Sequence, residues 1–200
     1  VEGHKDETQA NRDRILGAAA HVFADKGYHS ATMDDVVKSS GLSKGTVYWH
    51  FESKEGLLSA VMRRLVSGEL RSFDRMNSEG ISAAMELRAY VSHVAQRLEG
   101  LGPLRQLSLE FYSLALRRDW ARAILREYYA QFRKMVCVTI QRGIDRGELR
   151  DVSAQDTAIA LSALVEGMIL LWVIDGNVVQ IGAHSATALD LLLDGLVRKR

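Results

Sequence analysis

Between Ser43 and Lys54 the sequence sets Ser43, Lys44, Thr46, Tyr48, Trp49, His50 and Lys54 at short intervals, with Gly45 among them. Ammonium, imidazole, hydroxyl and indole N–H groups all donate hydrogen bonds to anionic oxygens, and Lys, Thr and Tyr also reach base edges. The chemistry that such a set serves is recognition of a nucleic acid. Covalent chemistry has no comparable signature: no nucleophile stands beside a base and no catalytic motif appears, so no catalytic residues and no cofactor are expected. His21, His29, His93 and His184 lack His-x-x-x-His or Glu-x-x-His spacing, and no metal site is expected.

The elements that must hold these residues are short helices. Thr32 is an N-cap candidate with Asp35 three positions on, and Asp34 and Asp35 lie in a first turn where the helix dipole favours carboxylates. This helix ends near Ser39, Gly41 makes a turn, and Ser43 caps a second helix over Lys44 to His50. Two short helices joined by a three- to four-residue turn containing Gly form a helix-turn-helix, which offers its second helix to the DNA major groove. Val36, Val37 and Val47 are spaced to pack the pair on Val22 and Phe23 of a preceding helix, Thr8 to Lys26, which Gly27 ends in the left-handed conformation. Gly45 lets the backbone approach DNA closely, and the helix N-terminus attracts phosphate. Two residues keep alternatives: Tyr48 as reader or packing aromatic, His50 as phosphate donor or helix-end cap.

Charge does not carry the nucleic-acid reading. The chain has 26 Lys plus Arg against 25 Asp plus Glu, and the first 60 residues have 7 against 9. The positive face is local, three Lys and His50 against Glu52 from Lys38 to Lys54, so useful affinity calls for two subunits on one site. One cysteine, Cys137, forms no internal disulfide and reads as a small buried hydrophobe, and a polar start shows no secretory pattern; a cytoplasmic protein is expected. Thr157 to Ile174 is apolar over 18 residues, at the short end of the roughly 17–25 that span a bilayer. Glu166 near its middle favours a buried helix or subunit contact over a membrane span.

Downstream, Ser53 caps a helix running to about Arg75. Breaks at Asn77–Gly80 and Gly100–Pro103 bound a helix to about Glu99, and further helices are expected over Leu104–Arg118, Trp120–Arg146, Ala154–Ile174 and Gly182–Lys199. The fold class is all-α.

The stretch GYHSATMDDVVKSSGLSKGTVYWHFESKEGLL, Gly27 to Leu58, resembles the DNA-binding domain of the TetR family of bacterial transcriptional regulators. The resemblance covers about Asn11 to Leu70 and implies an N-terminal helix-turn-helix domain, 8–70, and a C-terminal ligand-binding and dimerisation domain, 71–200. It also implies a homodimer on a palindromic operator, usually a repressor released by a small molecule. The family's base-facing positions fall on Lys44, Gly45, Thr46 and Tyr48, and its phosphate-clamping positions on Thr32, Ser43, Trp49, His50 and Lys54. At position 49 the family commonly has Tyr; the Trp49 indole donates but cannot accept, which suits a phosphate.

For the inducer, Met85, Phe111, Tyr112, Tyr128, Phe132, Met135, Met168 and Trp172 would make an apolar, aromatic cavity, with His93, Glu166 and Glu110 as polar handles. A hydrophobic ligand follows. The last two helices are apolar all round and are expected to form the dimer through Leu164, Leu171, Leu189, Leu192, Leu193 and Leu196. The competing reading is a helical interaction or ligand-binding protein without sequence-specific DNA binding, which would look the same outside Lys44 to Lys54.

Overall fold

The computed structural model describes residues 2–76, 80–100, 102 and 104–197. Among them the chain forms α1 (Glu2–Ser30), α2 (Met33–Ser40), α3 (Lys44–His50), α4 (Lys54–Met76), α5 (Ala83–Glu99), α6 (Leu104–Ala115), α7 (Asp119–Asp145), α8 (Ala154–Ile174) and α9 (Ile181–Leu196). The expected break at residues 77–79, and Leu101 and Pro103 of the next one, lie outside the described residues. α1 starts earlier than expected, and Gly27, at φ 74°, breaks it into a main helix and a short terminal turn. At the end of α6 Arg122 satisfies open carbonyls: its Nε donates to the Ala115 carbonyl at 3.0 Å and its Nη2 to that of Leu116 at 3.1 Å.

The chain divides into two compact units, Val1–Val66 with Gly102–Leu125, and Ser67–Leu101 with Arg126–Arg200. In the first, Ile15, Ala19 and Phe23 of α1 bury against Val36, Val47, Leu57 and Leu58, and α6 adds Leu107 and Phe111 to that core. Glu110 Oε2 accepts the main-chain N–H of Tyr28 at 2.7 Å, and the Trp120 indole donates to Glu55. Residues 102–125, placed with the second domain on sequence grounds, thus pack with the helix-turn-helix. Phe111, expected in a ligand cavity, is instead core here, its ring 5.8 Å from that of Trp120.

The second unit buries Leu87, Tyr90, Val91 and Val94 of α5 against Phe132, Val136 and Ile140 of α7, Leu161 of α8, and Leu189 and Leu193 of α9. A Cβ on Gly143 would meet Ala83 Cβ at 2.7 Å and Leu149 Cδ1 at 2.8 Å, so the bare glycine is what lets α7 approach the start of α5. Glu86, almost fully buried, accepts from Thr139 Oγ1 at 2.9 Å and pairs with Arg142, which keeps that charge from being stranded in the core.

Candidate nucleic-acid interface

The geometry of α2 and α3 follows from their caps. Thr32 Oγ1 accepts the Asp35 N–H at 3.1 Å, while Asp35 Oδ2 accepts the Thr32 N–H at 3.0 Å and its hydroxyl at 2.8 Å, completing a capping box. The hydrogen bond from Lys26, with those from Thr32, holds the Asp35 carboxyl down to about 2. Gly41 then takes the left-handed conformation, φ 64°, that turns the chain into α3. Ser43 Oγ accepts the Thr46 N–H at 3.1 Å and shares a hydrogen bond with the Thr46 hydroxyl at 2.8 Å. Val36 and Val47 are completely buried, so one face of α3 is pinned while Lys44, Gly45, Tyr48 and Trp49 face solvent.

Each exposed residue has a defined setting. Lys44 Nζ pairs with Asp34 at 2.8 Å and stands 5.6 Å from the Tyr48 ring; the hydrogen bond to Asp34 raises the lysine's pKa. Trp49 is 72% exposed, touching the His50 ring edge-on at 4.6 Å. An indole standing in water on a helix of otherwise polar surface is an unfilled contact. His50 is half-buried, and its pKa lies below the ordinary value, first through burial and then through the Arg12 guanidinium, which lies over Phe51 at 4.7 Å. Thr46 is half-buried, and Thr32 and Ser43 are exposed with hydroxyls already engaged in the caps.

Lys54 departs from its expected place at a phosphate. Its ammonium donates to the carbonyls of Tyr28 at 2.8 Å, His29 at 3.0 Å and Ala31 at 2.8 Å, which engages all three of its N–H groups. The reason is Gly27: the broken end of α1 leaves carbonyls without helical partners, and the first residue of α4 satisfies them. Sequence spacing gives no sign of Arg12 beside His50 or of the pairing of Asp34, expected only as a first-turn carboxylate, with Lys44, since these contacts come from other helices.

Residues 15–61 match the family described as bacterial regulatory proteins, tetR family, and residues 83–197 match the BetI-type transcriptional repressor C-terminal family. The chain belongs to the TetR family. It is a DNA-binding transcriptional regulator. A relative, the uncharacterized HTH-type transcriptional regulator YfiR of Bacillus subtilis, is 33% identical over 150 residues, 74% of this chain and 71% of its own. In fold the chain is similar to a putative transcriptional regulator from Saccharomonospora viridis in complex with choline, with TM-score 0.84, 23% identity and coverage of 96% and 100%. It is also similar to the transcriptional regulator FadR from Bacillus subtilis in complex with stearoyl-CoA, with TM-score 0.79, 22% identity and coverage of 91% and 97%.

In this TetR-family chain the candidate ligand residues separate. Phe132 stands 5.3 Å from Tyr90 and stacks on Tyr128 at 6.4 Å, and Tyr128 lies 5.1 Å from Tyr129. Trp172 packs with Ala95, Ile181 and Met168, and Met135 is half-buried against the core. Glu166 is half-buried, and His93 has a buried Nε2 with no hydrogen-bond partner among the described residues. Met85 does not belong to the set: it is 57% exposed, because Ala83, Glu86, Leu87 and Tyr90 define the inward face of α5. Tyr112, half-buried, lies in the first unit with Phe111.

The expected dimer residues need the larger correction. Leu189, Leu193 and Leu196 are buried within their own chain, and Leu164 and Leu192 pack on the same core, so these five already have intramolecular partners. Leu171 alone of the six is exposed. The apolar surface that α8 and α9 present instead is Ile159, Leu170, Leu171 and Ile174 with Leu191.

Proposed function

We propose that the protein is a homodimeric, cytoplasmic repressor that binds a palindromic operator through α3 and leaves it when a hydrophobic small molecule binds the second unit. In this reading 8–70 serves DNA recognition and 71–200 serves ligand binding and dimerisation, without catalysis. The observation that carries the DNA part is α3 itself, pinned by buried Val47 while Lys44, Tyr48 and Trp49 are exposed to solvent. Thr32, Ser43, Thr46 and His50 border that face, and Gly45 leaves room for close backbone approach.

Dimerisation has its own support. α8 is long and apolar enough to cross a membrane, yet Glu166 lies midway along it, and its Ile159, Leu170, Leu171 and Ile174 form an exposed stripe. A second copy covering that stripe and Leu191 removes the apolar surface from water without placing Glu166 in lipid. Two recognition helices roughly 34 Å apart then read successive major grooves.

The ligand part rests on the aromatic cluster of Tyr90, Tyr128 and Phe132, to which half-buried Tyr128 and Met135 give the outer side, with Met168 and Trp172 in a second apolar cluster. Such surfaces suit planar or long-chain lipophilic compounds. The same aromatic rings are also what a quaternary ammonium requires, through cation–π attraction.

The test selects an operator from random duplexes and then measures release by fluorescence anisotropy. Stearoyl-CoA, triclosan and choline serve as probes, with melting temperature followed in parallel. Release and stabilisation by a lipophilic probe supports the proposal. Release by choline only assigns the aromatic cluster to a cation and overturns the hydrophobic ligand, and failure to select any DNA overturns the repressor reading.

A further inference from the structure

α1 reaches well upstream of residue 15, where the family match begins, and its early turns lie beside α3. A groove of about 360 Å³ opens between the two helices, lined by Glu7, Thr8 and Asn11 of α1 and by Gly45, Thr46, Trp49 and His50 of α3. The α1 side follows from helical spacing: Thr8, Asn11, Arg12 and Ile15 fall on one face, with Arg12 over the Phe51 ring and Ile15 in the core.

We propose that this groove seats a segment of the DNA sugar-phosphate backbone, and that Thr8 and Asn11 are further DNA-contacting residues that donate to phosphate oxygens. The inference rests on the assignment of the exposed α3 face to DNA. Of the lining residues Gly45 and Trp49 belong to that face and Thr46 and His50 border it, so a strand held at Trp49 and His50 passes along the groove. The available donors are a hydroxyl on Thr8, an amide on Asn11, a hydroxyl on Thr46, the Trp49 indole and the His50 imidazole, contributed to one groove by two helices. Gly45 presents no side chain, which admits the backbone, and Arg12, over the ring of Phe51 and not among the lining residues, adds positive charge nearby. Glu7 opposes this attraction. Its carboxylate on the groove wall repels phosphate and so lowers affinity for any duplex, the selected operator and random sequence alike.

The experiment uses the full chain, a selected operator and a random duplex, each titrated over a range of salt. Asn11→Ala and Thr8→Ala should each weaken binding to both duplexes by about 3- to 10-fold, the size of one lost hydrogen bond, with unchanged salt slope because no charge is removed. Glu7→Gln should tighten binding to both. Phosphate ethylation interference should show one backbone position per half-site that matters for wild type and no longer for Asn11→Ala. Wild-type affinity in both alanine variants, a loss confined to the operator, or a loss that tracks a fall in melting temperature would each overturn the proposal. Trp49→Ala separates the two levels: if it abolishes binding while Asn11→Ala changes nothing, only the groove assignment falls, and if neither matters the α3 assignment falls with it.

Discussion

Glu110 accepts the main-chain N–H of Tyr28 at 2.7 Å, bridging 82 residues of sequence to hold α6 against the broken end of α1. The other carboxylate oxygen lies 3.0 Å from where a Cβ on Gly27 would stand. The polar group that sequence reading offered to a ligand is therefore a cap. Glu110→Ala should lower unfolding stability by about 1–3 kcal/mol in urea melts, since a half-buried N–H loses a charged acceptor, and Glu110→Gln should cost less. Gly27→Ala should be destabilising as well, because φ 74° is strained for any residue with a Cβ.

Lys54 gives a prediction that separates capping from phosphate contact. Lys54→Ala should lower the melting temperature, because three carbonyls at the end of α1 lose their donor. Operator affinity of the folded fraction should keep its salt slope. A slope reduced by about one per subunit would instead return Lys54 to a phosphate.

The His50 imidazole is held below the ordinary histidine pKa by burial and by Arg12. A phosphate beside it favours the charged form, so its pKa rises in the complex and a proton is taken up on binding. Operator affinity should therefore strengthen as pH falls through the pKa of the complex, and level off below that of the free protein. His50→Gln should flatten this dependence in titrations from pH 8 to pH 5.5. A parallel profile in the variant would remove His50 from the phosphate contacts.

At the proposed dimer surface, position decides the phenotype. Ile174→Arg or Leu191→Arg should yield a folded monomer by light scattering, because both side chains are exposed in the single chain and a charge there obstructs only a partner. Leu193→Arg should instead abolish folding, since that residue is completely buried in its own core. A dimer that survives both surface substitutions would move the interface elsewhere.

The short-range content of the sequence determined the all-helical fold, the Thr32 and Ser43 caps, the turn at Gly41 and the span of α8, Ala154–Ile174. Each depends on residues within about four positions of one another, where hydrogen bonding and φ preference act. The pinned face of α3 was legible for the same reason, Val47 being spaced with Val36 and Val37 to pack on α1, whereas only tertiary packing left Tyr48 exposed. Tertiary structure alone decided that Lys54 and Glu110 serve the end of α1, that Phe111 is core, and that Arg12 stands beside His50, since each partner lies tens of residues away. It also decided which leucines of α8 and α9 remain exposed. α8, apolar on nearly every side, carries no periodic signal for its inward face, and only the neighbours packed on Ala158, Leu161 and Val165 leave Leu170 and Ile174 open.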